Sequence, residues 1–151
     1  MDNFERLYKK DEENIKKWEK DYTDKEFYLK NKEIRKQLEI LIKKKDKLSS
    51  RQKFICAIIY HHGFSLLSSR KAMKYIKEAQ AEGYKRQKWL IASITDRLLQ
   101  MQDKPQKYGT QIVKLKNGKY KQYKIDNSIN DKERISIGLP KLKNLKRYLE
   151  K

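Results

Sequence analysis

A chain of 151 residues has the length of one domain built round a single modest core. Charged residues (39%) outnumber hydrophobic ones (37%), and 39 basic against 20 acidic residues give a formal net charge of +19. No apolar run approaches the roughly 20 residues of a membrane span. The longest is Phe54 to Tyr60, and the polar start Met1-Asp2-Asn3-Phe4-Glu5 argues against a secretory leader.

A cytoplasmic location is therefore expected, with delivery into another cell left open. The charge is uneven: residues 1–53 carry 17 basic and 12 acidic groups, residues 54–151 carry 22 and 8. A field of that size draws polyanions such as nucleic acid, an anionic surface or an acidic protein. Base composition is the competing explanation, since only 8 of the 39 basic residues are arginine. The single cysteine, Cys56, has no internal partner and sits in an apolar helical run. It reads as a buried structural thiol in a reducing compartment.

In chain order, residues 2–22 predict one or two helices, with Phe4, Leu7 and Tyr8 on one face and Ile15, Trp18 and Tyr22 on another. Thr23 followed by Glu26 is a capping box, opening a helix to about Lys47 with the stripe Phe27, Ile34, Leu38, Leu41. Ser49-Ser50 opens a third helix, Arg51 to His62, ended by Gly63; it is apolar on most sides and belongs at the centre. A fourth runs from Ser65 to Glu82 with Leu66, Ala72, Met73, Ile76 and Ala79 inward. A fifth runs from Lys85 to Gln102 with Trp89, Ala92, Ile94, Leu98, Leu99 and Met101 available to the core, and Gly83-Tyr84 would join the two as an antiparallel hairpin.

After Pro105 the period changes to two. Thr110 to Leu115 and Lys119 to Ile125 alternate round Asn117-Gly118, the signal of a type I′ turn. A short helix from Asp131 to Ile137 stops at Gly138, and Pro140 starts a final amphipathic helix with Leu142, Leu145, Tyr148 and Leu149. The expected fold is mainly α: a single-domain helical bundle of five to seven helices with a small C-terminal β-hairpin. Residues 1–50 would form a lysine-rich helical extension packed on or next to the body, and residues 51–151 the helical core with the hairpin.

Familiar catalytic and cofactor motifs are missing, including the P-loop, paired-cysteine zinc spacing, HExxH and the Gly-rich dinucleotide turn. His61 and His62 are adjacent, so on a helix they point about 100° apart and do not form a metal pair. No cofactor and no metal site is expected. The remaining polar set is His62, Asp96, Arg97, Gln106, Tyr108, Gly109, Thr110, Gln111 and Arg134. Arginine offers phosphate a fixed fork of donors, histidine moves protons near neutral pH, and tyrosine donates or stacks.

Each has a structural alternative. Asp96-Arg97 is also the pattern of an ion pair or a helix-to-hairpin brace, and His62 that of a helix C-cap. Tyr108 could pack on the hairpin, and Gly109 could serve only a positive φ. Gln106 and Gln111 could satisfy backbone groups at the chain reversal.

Tyr60-His61-His62-Gly63, Asp96-Arg97, Lys104-Pro105-Gln106-Lys107-Tyr108-Gly109-Thr110-Gln111 and Arg134-Ile135-Ser136-Ile137-Gly138-Leu139 together form a specific pattern. Over about residues 57–142 the chain resembles a mainly bacterial domain family without an assigned function. That family carries Gln-His-Gly, Asp-Arg, Pro-Gln-x-Tyr/Phe-Gly-Thr-Gln and Arg-x-x-x-Gly-Leu in this order. The chain departs from it at His61, in place of glutamine, and at Asp103, in place of glycine. The resemblance implies that the polar set acts as one unit, and it supplies no activity.

The expected function is polyanion binding, with nucleic acid or an acidic protein as partner. One alternative is a metal-independent hydrolase or nuclease using His62 with Arg97, Tyr108 and Arg134, while Asp96, Gln106, Gly109, Thr110 and Gln111 bind. Another is an effector or toxin-like protein that engages a protein partner through residues 1–50.

Overall fold

The computed structural model describes residues 1–126 and 128–144. The chain is mainly helical with one two-stranded antiparallel hairpin towards the C-terminus, the fold class the sequence pattern predicts. It divides into two compact units, Met1–Tyr84 and Lys85–Lys151. The division thus falls after Tyr84, not at residue 50.

The first unit holds α1 (Asn3–Lys20), α2 (Asp24–Lys43), α3 (Ser50–His61) and α4 (Leu66–Ala81). Both predicted starts are formed. Thr23 and Glu26 close a capping box on α2, and Ser49 does the same with Gln52 on α3. Every residue of α3 from Phe54 to His61 is buried, because α4, α1 and α2 all pack against it.

Helices α1 and α2, within residues 1–50, contribute to the core of the first unit. Phe4 and Leu7 of α1, and Phe27, Ile34 and Leu38 of α2, are each at most 3% exposed. Burial of each such side chain is worth about 1.5–3 kcal/mol. Trp18 stacks on Phe27 with centroids 4.8 Å apart, and Phe64 meets both rings edge-on. Arg51 reaches from α3 to α1 and grips the Glu5 carboxylate with Nε (2.8 Å) and Nη2 (3.0 Å), which holds that carboxyl below its usual range.

The turn after α3 differs from a glycine-capped helix end. Gly63 does not take the left-handed conformation; Phe64 does, at φ +48°. Gly63 is needed for room instead, since a Cβ there would lie 2.4 Å from Ser68 Oγ. The side chain of Ser68 therefore lies directly against the turn that carries His62.

The second unit holds α5 (Leu90–Met101), β1 (Ile112–Lys114), β2 (Tyr120–Gln122) and α6 (Asp131–Ser136). α5 starts at Leu90 rather than Lys85, because no capping side chain precedes it and Gln87 turns the chain at φ +49°. Residues 82–89 thus form a longer connection than the expected Gly83-Tyr84 joint, and α4 and α5 belong to different units. Trp89 (38%) and Met101 (37%), at the two ends of the helix, are exposed, whereas Ala92 and Ile94 are buried as expected, together with Leu90.

β1 and β2 pair with Val113 opposite Lys121. Their connection is not type I′: Gly118 has φ +80°, whereas Asn117 is not in the left-handed region. The Gly118 N–H donates to the Leu115 carbonyl (2.9 Å) and the Leu115 N–H to the Lys119 carbonyl (2.7 Å). These bonds define a three-residue loop with glycine in the left-handed position. α6 ends at Gly138 as expected, and the helix expected from Pro140 to Leu149 falls largely outside the described residues.

Candidate functional site

The Asp-Arg and Pro-Gln-x-Tyr-Gly-Thr-Gln motifs meet inside the second unit. Asp96, on α5, is fully buried and turns its carboxylate onto the chain that follows the helix. Oδ1 accepts from the backbone N–H groups of Lys107 (2.7 Å) and Tyr108 (2.8 Å). Oδ2 accepts from the Thr110 N–H (2.9 Å) and hydroxyl (2.7 Å). One carboxylate thus fixes a four-residue loop, as a helix N-cap fixes a first turn.

The two glutamines complete the frame. Gln106 is fully buried; its Nε2 donates to the Tyr123 carbonyl (2.7 Å) and the Gln111 carbonyl (3.1 Å), and its Oε1 accepts from the Gln111 N–H (2.8 Å). Its backbone exchanges bonds with Lys124 and Asp126, so residue 106 lies beside the returning strand. Gln111 Nε2 donates to the Ser93 carbonyl (3.2 Å) and hydroxyl (3.3 Å) on α5. Gln111 Oε1 accepts from Arg97 Nε (3.2 Å). Burial pushes the Arg97 guanidinium down to about 10, which leaves it charged at neutral pH.

Arg134, on α6, is only 1% exposed. Its Nε donates to the Pro140 carbonyl (3.0 Å), and Asp96 and Asp131 oppose the effect of burial, which lowers its pKa. Gly109 is required twice over. Its φ is +74°, and a Cβ there would lie 2.9 Å from Gln122 Nε2 and 3.2 Å from Arg134 Nη1. Tyr108 is half-buried, with the Lys107 ammonium 5.0 Å from its ring centroid.

Asp96, Arg97, Gln106, Thr110 and Gln111 are therefore linked by side-chain and backbone bonds, Gly109 joins them through Gln122, and Arg134 lies against Gly109. His62 belongs to the first unit and to a different network. It is the C-cap residue of α3, and its Nδ1 lies 2.6 Å from Asp11 Oδ2. Asp11 is fully buried and also accepts from Asn31 Nδ2 (3.4 Å), which donates as well to the Ile59 carbonyl (3.3 Å). Arg35 Nε donates to Asn31 Oδ1 (2.7 Å), and Arg35 Nη1 donates to Ser68 Oγ (3.0 Å).

Asp11, Asn31, Arg35 and Ser68 were not among the residues the sequence marked out. A signal was present: Phe4, Leu7, Asp11 and Asn14 follow one helical stripe, as do Phe27, Asn31, Ile34 and Leu38, and all eight are buried. A polar residue standing in an apolar stripe is the mark of a buried network. Among the described residues, no three His, Cys, Asp or Glu side chains gather in a metal-holding group, and no helix is long and apolar enough to cross a membrane.

No protein-family model, curated protein or solved structure matches this chain.

Proposed function

We propose that this protein binds a polyanion, with nucleic acid as the partner, through its exposed lysines, while the Asp96–Gln111 assembly serves as the frame. The observation that carries this reading is the distribution of charge in the second unit. Residues 85–151 contain 18 basic and 6 acidic groups. Twelve of the described lysines and arginines there are exposed, whereas Asp96 faces inward and Asp103 and Glu133 each pair with a lysine. Lys116, Lys119 and Lys121 are exposed on the β1–β2 hairpin, and the exposed Lys124 follows it, paired with Asp103. A two-stranded ribbon carrying cations suits a phosphate backbone.

The family that residues 57–142 resemble has no assigned activity, so the reading rests on this chain's own charge and geometry. The partner-binding alternative through residues 1–50 has less support. Phe4, Leu7, Phe27, Ile34 and Leu38 are committed to the core of the first unit, so those residues are not a separable arm.

The test is fluorescence anisotropy with labelled single- and double-stranded oligonucleotides across a salt series. Each phosphate neutralised contributes about −0.9 to the slope of log K against log salt on a duplex. The triple variant Lys116→Glu, Lys119→Glu, Lys121→Glu should weaken binding and flatten the slope by about 3. Absence of binding at low salt, or affinity that does not change with salt, overturns the proposal.

A further inference from the structure

The first unit contains a second polar constellation, and its chemistry differs from that of the frame round Asp96. We propose that Asp11, His62 and Arg35 form a site that cleaves RNA by transesterification. The proposal rests on the polyanion reading for its substrate class and adds a reaction to it.

Asp11 comes first. It is fully buried on α1, where the stripe would otherwise carry an apolar residue, so its carboxylate must be matched by donors. A carboxylate only accepts, so the short contact to His62 requires the proton on Nδ1. In the neutral imidazole with that proton on Nδ1, Nε2 is the acceptor. His62 retains 21% side-chain exposure while Asp11 has none. The geometry is that of a base held in place from behind, with its working nitrogen turned from the carboxylate.

The cation comes next. Asn31 bridges the two halves, donating to Asp11 with its amide nitrogen and accepting from Arg35 with its amide oxygen. Arg35 also bonds Ser68, which lies against Gly63, the residue after His62. These contacts set the guanidinium beside the turn that carries the imidazole. Two of the five guanidinium donors are used, one on Asn31 and one on Ser68. The others can take the non-bridging oxygens of a phosphodiester, on which negative charge grows in the transition state.

One base and one guanidinium are enough for RNA but not for DNA, because RNA brings its own nucleophile. His62 Nε2 takes the proton of the ribose 2′-hydroxyl. The 2′-oxygen forms a bond to the adjacent phosphorus, and the bond from phosphorus to the 5′-oxygen breaks. The departing 5′-oxygen takes the proton back from the imidazolium. The products are a 2′,3′-cyclic phosphate and a free 5′-hydroxyl, with no net change in protons or electrons. In this scheme His62 is a catalytic residue, Arg35 binds the phosphate, and Asp11 is a positioning residue acting through His62.

The experiment uses the full chain, a doubly labelled RNA oligonucleotide, and its all-deoxy counterpart as a non-cleavable ligand. Wild-type protein should cleave the RNA, leave the DNA intact and give cyclic phosphate ends. His62→Ala should lose about 100-fold or more in kcat, and free imidazole should restore part of that loss. Asp11→Asn should lower kcat with little change in KM, and Arg35→Ala should lower kcat and raise KM together. Circular dichroism melting checks that each variant is folded; if Asp11→Asn does not fold, the imidazole rescue of His62→Ala decides. Binding of the deoxy ligand without cleavage of RNA overturns this site and leaves the binding proposal standing. Loss of both overturns both. Cleavage that persists in His62→Ala, or is not rescued by imidazole, also overturns the site.

Discussion

At the scale of single residues, Asp96 shows how one buried carboxylate can hold the loop that carries a motif. Its four acceptor contacts hold three backbone N–H groups and one hydroxyl on a carboxylate that is itself fully buried. Asn keeps the size but replaces one oxygen with an amide nitrogen, which cannot accept. With the amide nitrogen turned to Thr110, whose hydroxyl can accept, the Thr110 N–H would still face another donor. We expect Asp96→Asn to destabilise the second unit by about 1–3 kcal/mol, the cost of one donor left unsatisfied. Urea denaturation followed by Tyr and Trp fluorescence measures this; a change within about 0.5 kcal/mol, the range of an ordinary surface substitution, would show that the loop does not depend on the carboxylate.

At the scale of elements, the end of α5 contains a residue in a costly conformation. Asp103 has φ +55°, its N–H donates to the Gln100 carbonyl, and the next N–H, of Lys104, donates to the Leu99 carbonyl. This is the glycine position of a Schellman end. An acidic side chain there also faces the negative end of the helix dipole. Its compensations are a bond from the Tyr123 hydroxyl (3.1 Å) and a pair with Lys124 (3.0 Å), both made by an exposed carboxylate and hence weak. Asp103→Gly should therefore stabilise the protein by about 0.5–1 kcal/mol, read as a rise in melting temperature. A fall would mean that the contacts to Tyr123 and Lys124 outweigh the backbone strain.

At the scale of the whole molecule, α3 is the element with the most to lose from opening. Cys56 lies at its middle, fully buried, and burial pushes its thiol up to about 12. The thiolate is the reactive form, so a native chain should resist a thiol reagent at pH 8. Labelling should proceed only through opening of the first unit and should track its unfolding across a denaturant series. Fast labelling of the native protein would mean that α3 is accessible without global opening.

Much of the fold was legible because it is local. The capping box at Thr23, the helix start at Ser49, the all-round apolar run of α3, the change of period after Pro105 and the stop at Gly138 all lie in short windows where side-chain chemistry meets backbone geometry. The polar set from Asp96 to Gln111 was also legible as a cluster, because its members are close in sequence and distinct from the lysines round them. What the sequence could not determine was the direction in which those side chains face. The same Asp-Arg and Gly-Thr-Gln residues suit an open site or a closed frame, and which of them are buried is a tertiary property. The apolar stripes of α1 and α2 were legible, but how completely they are covered was not, because an outer face of lysines carries no information about that. Only the tertiary structure paired Asp11 with His62, across 51 positions of sequence. No periodicity or spacing rule reaches that far, and the pairing arises from the packing of α1 against α3, which lies beyond any local signal.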